Sequence, residues 1–221
     1  MNNGLVKRLV REDRGFSLAE LIFASAFSIV IMLIVGGILI GAMNANKQVG
    51  SLTHAASTGQ LIARSVESGV RNAAGPLGST DPDQAAGMKA ETVTANGQLF
   101  RARVAIGAAA GTVVWQCQAW FYSSTTGGVY WARSNAGAIA DPVSFTVVNG
   151  AGVAQVAGAN WKLLGDGVSM PTGVSAFFGA ANKKVVLRFN VASENVSLVL
   201  IPSTVVQRTL HIAGTGPTAC F

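Results

Sequence analysis

The longest apolar run in the chain predicts a membrane-length helix near the amino end. Residues 21–46 carry no formal charge, and Leu21–Met43 is a run of 23 residues rich in Leu, Ile, Val, Phe, Ala, Met and Gly. A helix of that length rises about 35 Å, enough to cross a hydrocarbon core of about 30 Å. A single carboxylate, Glu20, lies directly at the amino edge of this run. A membrane-spanning helix does not by itself require a carboxylate at this position.

The helical pattern continues beyond the apolar run but becomes one-sided. Between residues 44 and 74, apolar or small residues recur in steps of three and four: Val49, Leu52, Ala56, Gly59, Ala63, Val66, Val70 and Ala73. This spacing traces one stripe on a helix surface. We therefore predict a helix over 16–46 that continues as an amphipathic helix over 47–74, where Gly75-Pro76 ends it.

The rest of the chain has turn-forming and strand-like patterns. Residues 75–98 are rich in turn-forming residues such as Gly, Pro and Asp and are predicted to be a loop region. Residues 99–221 contain short β-rich runs at 99–106, 112–122, 129–133, 143–148, 185–191, 196–201 and 204–212. The alternation in KVVLRFNV (184–191) suits a sheet with one solvated face. Together the patterns predict an α+β fold, in which a long amino-terminal transmembrane helix packs on an antiparallel β-sheet domain.

Composition and charge exclude several classes of function. Only 12% of the 221 residues are charged, against about 25% in a typical soluble domain. The net charge is +6, and the basic residues after Lys47 form no cluster longer than Lys183-Lys184, so no nucleic-acid partner is indicated. The two histidines, His54 and His211, lie in no nucleophile, phosphate-loop or metal-ligand motif. We expect neither catalysis nor a bound metal or cofactor.

The charges before the apolar run indicate the orientation of the amino end. The leader carries two more positive than negative charges, from Lys7, Arg8, Arg11 and Arg14 against Glu12 and Asp13. Such an excess holds the amino end in the cytoplasm and places the bulk of the chain outside. A secretory signal peptide is disfavoured because its apolar core spans only about 7–15 residues. A plain signal anchor fits the length but gives no reason for Glu20, since an acidic residue in a membrane helix is unfavourable.

A third interpretation rests on the hexapeptide GFSLAE, from Gly15 to Glu20. Behind a short basic leader and ahead of a long apolar run, it resembles the processing motif of type IV prepilins and pseudopilins. The resemblance implies that residues 1–15 are a leader peptide, which a membrane-embedded prepilin peptidase removes between Gly15 and Phe16. The same enzyme would methylate the new Phe16 amine. Residues 16–46 would then form the transmembrane and filament-core helix.

The resemblance also implies roles for residues inside the helix. Glu20 would serve assembly by pairing with the terminal amine of a neighbouring subunit, or with its own amine, which the i, i+4 spacing permits. An interfacial Glu20 with no partner is the remaining alternative. Gly36-Gly37 is a candidate weak point of the helix, since adjacent glycines each weaken a helix by about 1 kcal/mol relative to Ala. Ordinary small-residue content of a membrane helix explains the pair as well.

Two cysteines, Cys117 and Cys220, favour one disulfide in a chain that leaves the cytoplasm. Two unpaired thiols are the alternative. Aromatic residues concentrate around the first cysteine and are expected to build the core, with a binding platform as the second interpretation: Trp115, Trp120, Phe121, Tyr122, Tyr130 and Trp131.

The resemblance implies a structural function. The chain would be a minor or accessory subunit of a type IV pilus or pseudopilus, with the prepilin peptidase, other pilin subunits, the assembly platform and membrane lipid as partners. It would begin as a single-pass protein of the cytoplasmic membrane and end in an extracytoplasmic filament. The alternative is a membrane-anchored adhesin or binding module that uses the same export route. Adhesion, motility, DNA uptake and type II secretion are all compatible with the sequence.

Overall fold

A computed structural model describes most of the chain. The described residues are 17–76, 78, 86–94, 97–109, 111–142, 147–148, 153–156, 159–181, 183–193, 196–208 and 214–221. The chain divides into two compact units, with the boundary between Lys47 and Gln48. The first unit is helical from Leu18 to its end, whereas the second unit contains the remaining helical turns and all the described strands.

The single helix of the described chain, α1, spans Leu18–Arg71. Its interior contains no proline, which would have interrupted the helical hydrogen bonds. The helix ends three residues earlier than the glycine and proline at 75–76 indicated. Asn72 forms a turn, and Ala73 instead makes an isolated β-bridge with Val104.

The larger sheet of the second unit has eight strands among the described residues. In spatial order seven of them are β1 (Met88–Thr94), β2 (Gly97–Ala109), β3 (Thr112–Ser123), β4 (Gly128–Ser134), β7 (Ala159–Gly165), β6 (Val153–Val156) and β5 (Val147–Val148). These seven pair antiparallel with their neighbours. The eighth strand, β12 (Gly214–Thr215), pairs parallel with the start of β3 at Val113 and Val114.

The smaller sheet is built around β10 (Lys184–Ser193). Its antiparallel neighbours are β11 (Val196–Val206), β8 (Val168–Ser169) and β9 (Phe178–Ala181). Along β10 the buried Val185, Leu187, Phe189 and Val191 alternate with exposed or half-buried residues. The alternation read in the sequence therefore corresponds to a sheet with one buried face. Together with α1, the two antiparallel sheets confirm the α+β class.

Within the second unit, the helix packs against both sheets through small residues. The buried stripe of α1 consists of Ala55, Gly59, Ile62, Ala63, Val66, Gly69 and Val70. A Cβ on Gly59 would lie 2.5 Å from the Ile201 side chain of β11, and a Cβ on Gly69 would overlap the Trp120 indole of β3. The predicted stripe is correct from Gly59 onward, but Val49 is exposed and the buried face begins at Ala55.

Two predicted boundaries are wrong. The segment 75–98 is predicted to be loop, but β1 forms within it because KAETVT pairs antiparallel with β2, with one irregularity between Thr92 and Thr94. The strands predicted at 196–201 and 204–212 are one strand as far as Val206, running through Pro202. Proline lacks the N–H needed by a second neighbour, and β11 has one described neighbour, β10, so it tolerates Pro202.

Candidate functional site

The start of α1 explains part of the role of Glu20. Ser17 precedes the first helical residue, and its carbonyl accepts a hydrogen bond from the Leu21 N–H at 3.2 Å. The Glu20 N–H lies 3.4 Å from the Ser17 hydroxyl oxygen. Ser17 is thus the amino-terminal cap and Glu20 the third residue of the helix, which is the spacing of a capping box. The Ser-x-x-Glu spacing is visible in the sequence, but the interpretations of Glu20 given above, pairing with an amine or no partner, do not include capping.

The predicted processing site lies next to this cap. Gly15 and Phe16 are outside the described residues, so the proposed cleaved bond and its amine have no described geometry. Glu20 is exposed, and its carboxylate lies in the first helical turn. A negative charge there interacts favourably with the helix dipole, independently of any partner.

The first unit exposes an apolar surface on every side of the helix. Large apolar side chains at least half exposed follow one another from Leu18 to Met43, among them Phe23, Phe27, Met32 and Leu39. α1 is long and apolar enough to cross a membrane, and its most apolar window is 0% buried. An exposed apolar surface of this extent requires lipid or protein to cover it.

Gly36 and Gly37 do not interrupt the helix. Hydrogen-bonded helix continues through both residues, and a Cβ on either would meet no heavy atom within 4 Å. Packing within the described chain therefore does not require glycine at these positions. Their role as a weak point stays a prediction.

The two predicted cysteines meet on the outer face of the larger sheet. A disulfide joins Cys117 of β3 to Cys220, with the Cα atoms 5.4 Å apart. Both cysteines are buried in a second core cluster with Leu99, Phe121 and Trp161, on the face of the sheet opposite to the helix. The disulfide and the parallel pairing of β12 hold the carboxyl-terminal segment against β3.

A buried arginine adds a third attachment for this segment. Arg103 of β2 is 5% exposed, and its Nε donates a hydrogen bond to the Pro217 carbonyl at 2.8 Å. Its Nη1 donates to the Ala74 carbonyl at 3.1 Å, and its guanidinium carbon lies 4.1 Å from the centre of the Trp115 ring. Desolvation by burial lowers the pKa of Arg103 from its usual value. This side chain links the segment after α1 to the carboxyl-terminal segment.

Arg101, two residues earlier on the same face, anchors a loop. It is 7% exposed, forms ion pairs with Glu91 and Asp141, and donates to the Ile139 carbonyl at 3.1 Å. Sequence reasoning missed both arginines. The signal was the alternation in LFRARV, where charges occupy one face of a strand whose other face is apolar.

The remaining candidates are the two histidines and the aromatic group around Cys117. No group of three or more His, Cys, Asp and Glu side chains comes together within the described residues to hold a metal. His54 is exposed on α1, and His211 lies outside the described part of the chain. Most of the aromatic group around Cys117 is buried: Trp115, Trp120, Phe121, Tyr122 and Tyr130. These rings build core rather than an exposed platform.

Comparison with known proteins supplies no family for this geometry. The chain matches no protein-family model, and no curated protein or solved structure is significantly similar to it. The functional interpretation therefore depends on the residues and geometry of the chain itself.

Proposed function

We propose that the chain is a structural subunit, a minor or accessory pilin, of a type IV pilus or related pseudopilus. In this assignment a prepilin peptidase removes residues 1–15 and methylates the Phe16 amine. α1 first holds the subunit in the cytoplasmic membrane, with its amino end in the cytoplasm. The assembly platform then transfers the subunit into an extracytoplasmic filament, where α1 packs among the helices of other subunits.

The proposal rests on the contrast between the apolar helix of the first unit and the carboxylate near its start. The helix is apolar on all sides from Leu21 to Met43, yet its first turn contains the carboxylate of Glu20. A surface apolar on every side suits both lipid and a core of packed helices. A carboxylate moved from the membrane edge into such a core needs a cationic partner, because an unpaired buried charge costs several kcal/mol. A free terminal amine at Phe16, one helical turn away, supplies that cation in its own or a neighbouring subunit.

The second unit supports the proposal as a folded body suited to the cell exterior. Its α+β arrangement packs the carboxyl-terminal part of α1 against antiparallel sheets, which is compatible with the proposed pilin-like role. The Cys117–Cys220 disulfide is compatible with an oxidising compartment. Exposed α1 residues in the second unit, such as Leu61, provide further surface for subunit contacts.

The processing step gives the most direct test. In cells that contain a prepilin peptidase, the amino-terminal sequence and intact mass of the membrane-extracted protein should start at a methylated Phe16. Gly15→Leu should leave the full precursor in the membrane fraction, because a bulky side chain replaces the residue that enters the peptidase cleft. Gly4→Leu is the matched control, since it makes the same substitution in the leader but leaves GFSLAE intact.

Assembly is tested separately from processing. An epitope-tagged chain should appear in sheared filaments together with other pilin subunits. A chain that stays uncut, or one cut beyond Met43, would refute the prepilin assignment. A processed chain found only in the membrane fraction would instead favour the membrane-anchored binding module.

A further inference from the structure

Three arginines line one recess on the second unit. The recess has a volume of about 260 Å³ and is lined by Arg64, Glu67, Ser68, Arg71, Asn72 and Arg208. It lies where the last two turns of α1 meet the residues that follow β11. One water needs roughly 10–15 Å³ by this kind of measure, so the space admits a polyatomic ligand.

Two elements bring the three arginines to the recess. Arg64 and Arg71 are seven residues apart on α1, so they share a helix face about 10 Å apart along its axis. The Arg208 N–H donates a hydrogen bond to the Arg71 carbonyl at 3.3 Å. This bond holds the chain after β11 against the last turn of the helix, and it places the third arginine beside the other two.

The positive charge of the recess is not balanced within the described chain. Its single carboxylate, Glu67, accepts a hydrogen bond from the Ser203 hydroxyl at 2.6 Å. The other Glu67 oxygen lies 3.9 Å from an Arg71 nitrogen, at the limit of an ion pair. No ion pair between described residues engages Arg64 or Arg208. The described lining of the recess therefore carries three arginines and one carboxylate, a formal excess of two positive charges.

The end of a helix would normally repel an anion, because its last carbonyl groups carry partial negative charge. Here hydrogen bonds from the protein occupy several of the carbonyl groups at this end. The Ser68 carbonyl accepts from the Asn72 N–H, the Arg71 carbonyl from the Arg208 N–H, and the Asn72 carbonyl from the Ala105 N–H at 2.9 Å. The guanidinium charges therefore dominate the electrostatics of the recess.

We propose that this recess binds a small anion with two linked phosphate groups, such as a diphosphate. Guanidinium groups match phosphate oxygens with paired hydrogen bonds, and they stay charged at all physiological pH values. The separation of Arg64 and Arg71 along the helix favours two anionic centres over one. The Ser68 hydroxyl and the Asn72 amide are neutral polar groups that complete the lining. The site does not depend on the filament assignment.

The test is direct binding of pyrophosphate to the full chain in a non-ionic detergent. Isothermal titration calorimetry should show saturable binding at one site, with inorganic phosphate binding more weakly. Arg64→Gln and Arg208→Gln should each weaken the affinity at least about tenfold, the effect of losing a charge-assisted hydrogen bond. Arg188→Gln is the matched control, because Arg188 is exposed on β10 and does not line the recess. It should leave the affinity unchanged.

Near-UV circular dichroism and the Cys117–Cys220 peptide in non-reducing mass spectra verify that each variant is folded. If Arg208→Gln disturbs the fold, the binding measurement on Arg64→Gln is the test of the site. The Arg64 side chain is exposed on α1, so its substitution should leave the helix intact. No saturable binding to wild type, or an equal loss in Arg188→Gln, would overturn the site. Binding of a DNA oligonucleotide without binding of pyrophosphate would overturn it also, in favour of a nucleic-acid backbone.

Discussion

The indole N–H of Trp120 donates a hydrogen bond to the hydroxyl of Ser65, with 2.8 Å between nitrogen and oxygen. Trp120 is fully buried, so its nitrogen has no access to water. This bond joins α1 to β3. Ser65 lies one helical turn before Gly69, which contacts the same indole ring. The pair therefore sets how closely the helix approaches the larger sheet.

Ser65→Ala should lower the free energy of unfolding by about 1–3 kcal/mol, because it leaves a buried indole N–H without an acceptor. Urea unfolding followed by tryptophan fluorescence measures the change. Ser57→Ala is the control, since the Ser57 hydroxyl is exposed and donates a hydrogen bond to the His54 carbonyl of its own helix. A change smaller than about 0.5 kcal/mol in both variants would contradict the prediction.

Gly69→Ala and Gly50→Ala should change stability in opposite directions. A methyl group on Gly69 would overlap the Trp120 indole, and overpacking of this kind costs about 1–3 kcal/mol. Gly50 has no heavy atom within 4 Å of its Cβ position, so alanine there should stabilise the helix by up to about 1 kcal/mol. The same urea assay compares them, and an equal effect of both substitutions would show that the contact with Trp120 is unimportant.

The double substitution Cys117→Ser and Cys220→Ser should lower the free energy of unfolding by about 2–5 kcal/mol, the range for a long disulfide loop. The two cysteines are 103 residues apart, so the disulfide closes a long loop. Removing it destabilises the protein mainly by increasing the conformational entropy of the unfolded chain. Wild type treated with reductant should unfold at the same urea concentration as the double variant. Alkylation of both thiols in unreduced protein would show that the bond is absent.

Stability should fall as the pH rises above about 10, in part through Tyr122. Burial raises the pKa of its phenol, and a hydrogen bond with the Met170 backbone lowers it by a smaller amount. Since the folded-state pKa lies above the unfolded value of about 10, this contribution is complete below pH 10 and is lost as pH rises through the folded-state pKa. Tyr122→Phe should flatten the decline above about pH 10 and leave the curve below pH 10 unchanged. Parallel pH curves for the two proteins would contradict this.

Two substitutions separate the possible roles of Glu20. Glu20→Gln keeps a side chain that fits a capping box but removes the charge, whereas Glu20→Ala removes both. If the carboxylate pairs with a terminal amine, both variants should be processed normally and both should fall in filament incorporation relative to membrane-fraction protein. If Glu20 only caps the helix, Glu20→Gln should incorporate at the wild-type level. A failure of cleavage would assign Glu20 to peptidase recognition.

The periodicity of apolar residues correctly predicted the helix and strand segments that have one buried face and one solvent-exposed face. The alternation of β10 and the helical stripe from Gly59 onward belong to this group, because burial on one side leaves a regular trace in the sequence. The strand β1 left no such trace, since KAETVT carries charges that are neutralised by neighbours such as Arg101. The arginine recess was equally unpredictable, because Arg208 reaches α1 only through the return of β11.

The parallel pairing of β12 with β3 has a consequence for the order of folding. Hairpins such as β2–β3 and β10–β11 close short loops, whereas β12 and Cys220 must find partners about a hundred residues earlier. Contacts of such long range form late, since closing the loop is entropically unfavourable. During synthesis Cys117 therefore leaves the ribosome as a free thiol well before Cys220 exists. In that interval it is open to mixed disulfides, so the supply of oxidant and isomerase, rather than hydrophobic collapse, should set the rate at which the chain reaches its final state.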